Sequence, residues 1–406
     1  MLLITGDYPH PTQPTRGVFN LQLVQALSAD HQVTVVSPRS WYAELRGRLA
    51  GQPALQRTAD LGGATVHYPR SWYTPGMLRQ YYAGMYWWSI RRTVEHALRT
   101  ERPDVVLAYW AHPDGAAAVR AARQAGVPAV VIVGGSDVLL LTQDAARRAC
   151  IVEVLHQADA VVTVGRHLRR RLLDLGVRHG KIRVVPRGVD EQRFFPDDRA
   201  AARARLGVPN HQNVLVWVGR MAPVKGLDVL LAAVADLAWD FPDAHLYLVG
   251  DGALRPALEA DCRQRGLSGR VHFVGAVKHG ALPDWYRAAD VTVLPSRSEG
   301  VPNVLRESLA CGTPFVASAV GGIPELGDEQ QRILVLPDDV AGLAGALAEA
   351  LTDPLLPGDA LERLPTWQES AAMLMDVIEP LLPQQRTAAA PPPRPAVAGA
   401  AAERTQ

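Results

Sequence analysis

Short apolar runs alternate with longer amphipathic segments along most of this 406-residue chain. A short apolar run is typical of a buried strand, and an apolar repeat every three or four residues is typical of a helix on a sheet. The first part of the pattern predicts strands at Leu2–Thr5, Gln32–Ser37, Val105–Tyr109, Ala129–Val133, Ala160–Val164 and Ile182–Val185. It predicts intervening helices at Phe19–Ser28, Gly115–Ala125 and Arg166–Leu175.

The alternation begins again after a segment rich in Arg, Asp, Pro and Gly, Pro186–Pro209. Strands are then predicted at Val214–Val218, His245–Val249, Val271–Val274, Val291–Leu294 and Phe315–Ala317. Helices are predicted at Leu227–Ala238, Ala253–Arg265, Leu282–Ala288, Val304–Cys311 and Val340–Leu351. Strands separated by helices form parallel, doubly wound sheets. We therefore expect an α/β protein with two Rossmann-like domains that face a cleft, where ligands bind at the carboxyl ends of the strands.

The length also favours two domains, because 406 residues exceed one ordinary hydrophobic core. We place the first domain at residues 1–186 and the second at 187–358. The sequence TWQESAAMLMDVIEPLL predicts a final amphipathic helix within residues 359–383. The remaining residues, 384–406, are rich in Ala and Pro and lack aromatic residues, which is typical of disorder.

Charge is distributed unevenly along the chain. Residues 1–187 contain 23 Lys and Arg against 13 Asp and Glu, whereas the remainder contains 19 against 28. A cationic first domain suits an anionic membrane surface or a charged acceptor. A general preference for Arg over Lys, of which there are 3, gives the same excess without any such role. We expect no nucleic-acid partner.

The cysteine spacing and the N-terminal sequence indicate the cellular compartment of the protein. Cys150, Cys262 and Cys311 show no CxxC spacing, which fits a reducing compartment. The N-terminal sequence lacks the basic and apolar regions of a secretory signal, and no apolar run reaches the ~18 residues of a transmembrane helix. We expect a cytoplasmic protein, at most peripheral at the inner face of the cell membrane.

The most informative stretch contains Glu299 and Glu307, eight positions apart in SEGVPNVLRESLACGTPFVAS. Pro302 suits the first turn of a helix, where an N–H is not needed. Glu299 would then lie at the start of this helix, and Glu307 about two turns later on roughly the same face. Carboxylates beside the free amides of a helix start can hold a polyhydroxylated ligand that carries phosphate.

A cationic turn follows the first strand of the second domain. The sequence GRMAPVKG places Arg220 and Lys225 at one strand end, where charge-assisted bonds suit a pyrophosphate. The alternative is a solvated basic turn. Glycine turns at Gly250–Gly252 and at Gly321 and Gly322 follow neighbouring strands. They permit close approach to phosphates, or are plain tight turns.

Three residues of the first domain are candidates at the same cleft. Gly17, in the loop after the first strand, would let a helix N-terminus approach donor phosphates. His112 and Asp137 each follow a predicted strand and would face the cleft. A lone histidine is more often structural, and Asp137 could instead cap the following helix.

Aromatic residues cluster at Trp72–Tyr73 and in Arg79–Trp88, followed by Arg91 and Arg92. Such a cluster suits a membrane-interface segment or a sugar-stacking acceptor site. The favoured alternative is a helix that packs on the sheet by its Trp side. The chain has no pair of Asp residues at i, i+2 and no GxxxxGK[ST], HExxH or GxSxG motif. We therefore expect no bound metal and no other cofactor.

In series, GRMAPVKGLDVLL, LVGDGALR, VHFVGAV, SEGVPNVLRESLACGTPFVAS and AVGGIPEL resemble the motifs of retaining GT-B glycosyltransferases. The resemblance is to family 4, which includes bacterial exopolysaccharide and cell-wall sugar transferases, and it covers roughly Met1–Pro383. It implies that the final helix returns to the first domain, which binds the acceptor. The implied reaction transfers a hexosyl unit from a nucleotide-diphosphate sugar, such as a UDP- or GDP-hexose, to a hydroxyl of a glycan or a polyprenyl- or lipid-linked acceptor. Transfer would proceed with retention, by front-side attack and without a metal.

The resemblance also implies roles for individual residues. Arg220 and Lys225 would bind the donor diphosphate and neutralise the leaving nucleotide. Glu307 would bind the ribose hydroxyls, and Glu299 the hydroxyls of the transferred sugar. The other implied donor contacts are Val301, Pro302, Asn303 and Val304 at the helix start, Val274 and Val277 beside the nucleobase, and Gly321 and Gly322 beside the phosphates.

Two departures from the family pattern concern the sugar contacts. Many members carry a histidine before Gly-Ser-Asp, where this chain has Gly134, so His112 would have to substitute for it. The second departure follows Glu325, where the segment GDEQQRILV lacks the glycines that are often found at this point in the family. The alternatives are a nucleotide-sugar epimerase, a phosphorylase or a non-catalytic binding protein. No acid/base cluster supports the first, and only 3 lysines are available for the pyridoxal phosphate of the second.

Overall fold

The computed structural model describes residues 1–51, 56–72, 81–355 and 364–383. The predicted disordered tail at 384–406, Tyr73, Arg79 and the proposed boundary at 358 lie outside the described residues. Two mainly parallel sheets with flanking helices form the two halves of the molecule, as the α/β pattern predicted.

The first half contains an eight-stranded sheet and a two-stranded ladder. Its strands are β1 Leu2–Ile4, β2 Thr34–Val36, β3 Arg39–Ser40, β4 Thr58–Leu61, β5 Ala64–His67, β6 Arg70–Ser71, β7 Val106–Tyr109, β8 Ala129–Val133, β9 Ala160–Thr163 and β10 Ile182–Val184. The order in the large sheet is β10-β9-β8-β7-β1-β2-β5-β4, and β3 pairs with β6. All pairs are parallel except β4 with β5. The six predicted strands are confirmed, and the four strands between residues 39 and 71 are additional.

Seven helices pack around these strands in the described residues: α1 Val18–Leu27, α2 Trp41–Leu49, α3 Tyr82–Glu101, α4 Ala116–Ala125, α5 Ser136–Leu139, α6 Ala145–Gln157 and α7 Arg166–Asp174. Helix α3 carries the aromatic cluster. It buries Tyr86 and Trp87 among Ile90 and Val94, whereas Trp88 is 63% exposed. This agrees with the favoured alternative, in which the aromatic side chains pack a helix on the sheet.

The second half contains a six-stranded, wholly parallel sheet in the order β13-β12-β11-β14-β15-β16. Its strands are β11 Asn213–Val218, β12 Ala244–Val249, β13 Val271–Gly275, β14 Val291–Leu294, β15 Phe315–Ser318 and β16 Arg332–Val335. The helices are α8 Arg199–Leu206, α9 Leu227–Leu237, α10 Arg255–Gln264, α11 Leu282–Ala288, α12 Asn303–Ala310 and α13 Val340–Thr352. The five predicted strands are confirmed. The central strands are almost completely buried, as is typical of a parallel sheet covered on both faces.

The last described helix, α14 at Trp367–Ile378, returns to the first half. A capping box between Thr366 and Glu369 begins it. Ser370 Oγ donates to the Pro186 carbonyl at 2.8 Å. Its buried face also meets α1 around Phe19. The prediction of a helix that crosses back is confirmed.

The chain passes between the two halves twice, and the two connecting segments touch. The Val189 N–H donates to the Pro365 carbonyl at 2.9 Å, within a parallel bridge between Val189 and Thr366. Gly188 lies so close to the start of α14 that a Cβ there would be 2.3 Å from the Trp367 nitrogen. The two crossings therefore form one hydrogen-bonded hinge.

Candidate active site

The turn after β11 brings Lys225 against Glu299. Gly226 adopts φ +63°, and a Cβ at this position would lie 2.0 Å from the Pro295 carbonyl oxygen, so only glycine permits the close packing. Lys225 Nζ lies 2.6 Å from Glu299 Oε1, which also accepts a 2.7 Å hydrogen bond from Ser296 Oγ. The two side chains are 22% and 12% exposed. The predicted cation and carboxylate thus meet at the carboxyl ends of β11 and β14.

Arg220 lies on the same turn and is exposed. Its guanidinium makes no hydrogen bond or ion pair with any described residue. The backbone beside it is tightly packed, because a Cβ on Gly250 would lie 1.8 Å from the Gly219 carbonyl oxygen. The predicted glycine turn therefore fixes the position of Arg220 and leaves its charge available.

Glu307 lies on α12, and both of its carboxylate oxygens have partners. Tyr286 donates its hydroxyl to Oε2 at 2.9 Å, and His279 Nε2 is 3.1 Å from Oε1. Burial beside this carboxylate raises the pKa of Tyr286 well above its usual value. The sequence interpretation missed His279 and Tyr286, because neither carries a local signal that links it to a residue more than twenty positions away.

Helix α12 begins at Asn303, and Pro302 precedes it with an extended conformation of φ −74° and ψ 124°. Pro302 therefore lies just before the helix rather than in its first turn. Val301 and Pro302 are buried, while Asn303 and Val304 are half-buried.

The glycine pair after β15 packs against the loop that carries Glu299. A Cβ on Gly321 would lie 1.8 Å from the Glu299 carbonyl oxygen, and the Gly322 N–H donates to the Gly300 carbonyl at 2.7 Å. The close approach predicted for these glycines is thus to backbone of the same domain. Val274 and Val277, at the end of β13, are partly buried against a cluster that includes Cys311.

On the opposite side, Gly17 starts α1 with φ +65°, and a Cβ there would lie 2.3 Å from the Asp7 carbonyl oxygen. His112 is 7% exposed, and its Nε2 has no partner in the described part of the chain. Burial, with a smaller contribution from Arg147, lowers the pKa of His112 to about 4. Gly17 and His112 are therefore both held by packing within the first domain.

Asp137 is completely buried and accepts hydrogen bonds from the backbone of two turns. The Gly135 N–H donates to Oδ1 at 2.9 Å, and the Ala111 N–H donates to Oδ2 at 3.2 Å. Burial raises the pKa of this carboxyl group, and the backbone hydrogen bonds oppose that shift. Asp137 therefore joins the turns after β7 and β8.

Gly134 lies where Tyr109 and Arg187 fill the available space. A Cβ on Gly134 would lie 2.5 Å from the Tyr109 hydroxyl oxygen. Arg187 donates to that hydroxyl through Nη2, and through Nη1 to the Val301 carbonyl at 3.2 Å and Asn303 Oδ1 at 3.1 Å. The position that holds a histidine in many family members is here beside a tyrosine–arginine pair. The sequence interpretation did not single out Arg187.

A carboxylate from the second domain caps a helix of the first. Glu325 accepts hydrogen bonds from the N–H groups of Arg166, at 2.7 Å, and His167, at 2.5 Å, at the start of α7. A carboxylate is favoured at the positive end of a helix dipole. The backbones of Gly135 and Gly300 also meet closely, since a Cβ on Gly135 would lie 2.9 Å from Gly300 Cα. The two domains are therefore in direct contact beside Glu299.

This combination of fold and site defines a class, the two-domain glycosyltransferases of GT-B architecture. Residues 17–193 match the family described as Glycosyltransferase Family 4, and residues 212–353 match Glycosyl transferases group 1. A putative teichuronic acid biosynthesis glycosyltransferase, TuaC of Bacillus subtilis, is 31% identical over 370 residues, covering 87% of this chain and 88% of that protein. The chain belongs to glycosyltransferase family 4.

Other similarities agree with the family. A D-inositol 3-phosphate glycosyltransferase of Streptosporangium roseum is 37% identical over 242 residues, or 55% of this chain; the match spans just over half of that relative, 56%. A sucrose-phosphate synthase from Thermosynechococcus elongatus has the same fold, with a TM-score of 0.79, 24% identity and coverage of 94% and 98% of the two chains. HepE of Anabaena, solved with UDP and glucose, has a TM-score of 0.73, 19% identity and coverage of 93% and 99%. Within the described ranges, no helix is both long and apolar enough to cross a membrane.

Proposed function

We propose that this chain transfers a hexosyl unit from a nucleotide-diphosphate sugar to a hydroxyl group of an acceptor, with retention of configuration. The observation that carries the proposal is the 2.6 Å contact between Lys225 and Glu299, beside Arg220, which no described residue pairs. This arrangement joins cations suited to a diphosphate with a carboxylate suited to sugar hydroxyls. The structures of HepE with UDP and with UDP-glucose support a donor of this kind.

Arg220 and Lys225 act mainly on the leaving group. As the bond from the anomeric carbon to the diphosphate breaks, negative charge grows on the phosphate oxygens. Two cations fixed beside those oxygens stabilise the transition state more than the ground state. No metal is needed for this neutralisation in the proposed reaction.

The two glutamates orient the donor. Glu307, held by Tyr286 and His279, accepts hydrogen bonds from the ribose hydroxyls. Glu299, held by Lys225 and Ser296, accepts from hydroxyls of the transferred sugar. In the front-side reaction the acceptor oxygen bonds to the anomeric carbon on the face that the diphosphate leaves. The acceptor proton passes to a departing phosphate oxygen, so no protein base is required.

The acceptor belongs to the first domain in this proposal, and two acceptor classes have support among the relatives. The name of the Bacillus subtilis relative refers to teichuronic acid, which favours a glycan or its lipid-linked precursor. The Streptosporangium roseum relative is named for D-inositol 3-phosphate, which favours a small phosphorylated polyol.

A donor screen tests the proposal directly. The full chain is incubated with UDP-, GDP- and ADP-hexoses, and its thermal unfolding midpoint is measured with and without EDTA. Stabilisation by one nucleotide series, followed by release of that nucleotide when acceptor is added, is expected in both conditions. If none of the donors raises the unfolding midpoint, the proposal is overturned. If stabilisation or turnover strictly requires a metal, the metal-independent mechanism is overturned.

A further inference from the structure

A cavity of about 470 Å³ lies in the first domain, apart from Lys225 and Glu299. Its wall includes Gly6 and Asp7 after β1, Trp110 after β7, and residues of α2 and α3. Because β1 and β7 end at the interdomain cleft, the cavity adjoins the edge where the donor is proposed to bind. Its volume is in the range of small-molecule sites, roughly 300–1,000 Å³.

Arg39, in the wall of this cavity, is a buried cation that has no carboxylate partner in the described part of the chain. The residue is 6% exposed, and its guanidinium lies 5.1 Å from the centre of the Tyr68 ring. Nη2 donates to the Tyr8 carbonyl, whereas Nε and Nη1 have no partner among the described residues. Burial lowers the pKa of Arg39 to about 10, so the side chain remains charged at neutral pH. An uncompensated buried charge is costly for folding, which points to a ligand of opposite charge.

The acidic side chains of the cavity do not neutralise Arg39. Glu44 is shared between Arg57, at 2.8 Å, and Arg70, at 2.9 Å. Glu44 is therefore already paired with two arginines and is not available to Arg39. Asp7 forms its ion pair with Arg16 at 2.8 Å, so its charge is also balanced.

Asp114 carries only part of its negative charge at neutral pH. It accepts hydrogen bonds from the Gly6 N–H, at 3.0 Å, and from the Tyr86 hydroxyl. Burial raises its pKa to about 7. Arg48, exposed on α2 at the cavity wall, makes no ion pair with a described residue. Arg39 and Arg48 are therefore lining arginines that no described carboxylate pairs.

The same cavity offers flat apolar surfaces. Trp72 and Trp110 line it, and Trp72 stacks on Trp41 with 5.4 Å between ring centres. Indole rings pack well against the apolar face of a sugar or polyol ring. The wall thus combines positive charge with ring surfaces, which suits a ring that bears an anionic group.

We propose that this cavity binds the acceptor through a phosphate ester, with Arg39 and Arg48 as its cationic partners and the indole rings against the acceptor ring. The inference rests on the proposed function, since it assigns the chemical class of the acceptor for that reaction. The phosphate can belong to a soluble sugar or polyol phosphate or to a lipid-linked sugar. The guanidinium groups would recognise the same oxygens in both.

The test measures binding by the full chain without donor. Glucose 6-phosphate is compared with glucose by calorimetry, and vesicles that carry a polyprenyl-phosphate sugar are compared with neutral vesicles by co-sedimentation. We expect the phosphorylated ligand of one arm to bind roughly tenfold or more tightly than its neutral counterpart, less so at high salt. Preference in the soluble arm identifies a free phosphate ester, and preference in the vesicle arm alone identifies a lipid-linked one. Equal binding of charged and neutral ligands in both arms overturns the proposal.

Variants locate the binding. Arg48→Gln changes an exposed side chain at the cavity wall, and Arg46→Gln, two positions earlier on α2, changes an exposed arginine that does not line it. We expect R48Q to reduce the phosphate preference several-fold or more and R46Q to leave it unchanged, with R39Q as a stronger second variant where it folds. A preference that R48Q retains in full overturns the assignment. The nucleotide affinity of the unaltered chain is measured in parallel. If the chain binds no donor nucleotide, the proposed function fails. If it binds the nucleotide but shows no preference for phosphorylated ligands, only this inference fails.

Discussion

Lys225 Nζ lies 2.6 Å from Glu299 Oε1, although 74 positions separate the two residues in the chain. The pair fixes the direction of both side chains before any donor arrives. A diphosphate would therefore meet a cation that is already held in place, which reduces the reorganisation needed in the transition state.

Replacing Lys225 by Met tests this electrostatic role. The change retains much of the side-chain length and removes the charge, so we expect turnover to fall by a factor on the order of 10²–10³. Initial rates with saturating donor measure the effect. Arg123→Met, on the exposed surface of α4, is the matched control and should retain the rate. Near-normal turnover of the K225M protein would remove Lys225 from the reaction.

Glu307→Gln should weaken nucleotide binding by roughly tenfold, because a hydrogen bond to a charged group is lost while the shape of the side chain is kept. Tyr286→Phe removes one partner and leaves the carboxylate, so its effect on affinity should be smaller. Calorimetric titration with the nucleotide chosen by the donor screen measures both, with Glu349→Gln as an exposed control. Unchanged affinity in E307Q would contradict the ribose role.

Gly134→Ala should destabilise the protein by about 1–3 kcal/mol, because its Cβ would lie 2.5 Å from the Tyr109 hydroxyl oxygen. Tyr109→Phe removes that oxygen. The double variant should therefore be less destabilised than the sum of the two single changes. Urea unfolding of the four proteins gives the coupling free energy, and strict additivity would show that the hydroxyl does not add to the clash that the Tyr109 ring carbons, at 2.9 Å, also make.

Glu325→Ala should favour a more open arrangement of the domains, because it removes a carboxylate that accepts from the N–H groups of Arg166 and His167 across the interface. Helix capping of this kind contributes about 0.5–2 kcal/mol. Small-angle scattering should give a larger radius of gyration for this variant than for Glu329→Ala, an exposed neighbour. Identical scattering curves would show that the cap does not govern closure.

Asp114 and His112 should change stability with pH in opposite directions. The pKa of Asp114 rises from 3.8 to about 7 in the folded protein, so the folded state binds more protons and stability falls as pH increases across that range. The pKa of His112 falls from 6.5 to about 4, so the unfolded state binds more protons and stability rises as pH increases between these values. The two effects partly cancel below pH 6.5.

Asp114→Asn removes the carboxyl group whose raised pKa makes the stability fall as pH increases. Its free energy of unfolding should therefore rise relative to that of the unaltered protein as pH increases from 4 to 7, by up to about 1.4 kcal/mol per pH unit. Denaturant unfolding at a series of pH values measures this difference, with the exposed Asp30→Asn as control. A pH-independent difference would mean that Asp114 does not titrate in this range.

The sequence predicted the central strands of both sheets because these strands are continuous apolar runs, which are stable only when both of their faces are buried. It missed β4 and β16, which are edge strands with exposed or half-buried positions, such as Thr58 and Arg332. It also missed β5, which lies inside the sheet but has only four residues, and the two-residue strands β3 and β6. An edge strand needs only one hydrogen-bonded neighbour and one covered face, so its residues carry a weaker apolar pattern.

The candidate site was predictable where the chemistry lies on one short segment or at a strand end. Glu299 and Glu307 lie on one short segment, and Lys225 follows a strand end. His279, Tyr286 and Arg187 could not be predicted in this way, because each is defined by a contact with a distant part of the chain. Gly134 was recognised as a departure, but only the three-dimensional arrangement explains it through Tyr109.

The paired crossings at Val189 and Thr366 restrict how the two domains can move. A single flexible strand would permit rotation in any direction. Two connecting segments joined by a hydrogen bond favour rotation about the line that passes through both. Twisting or sliding of one domain against the other would strain one of the two segments. Each opening of the cleft should therefore return Glu299 to the same place opposite the first domain, so that the accuracy of the catalytic geometry depends on these two connecting segments.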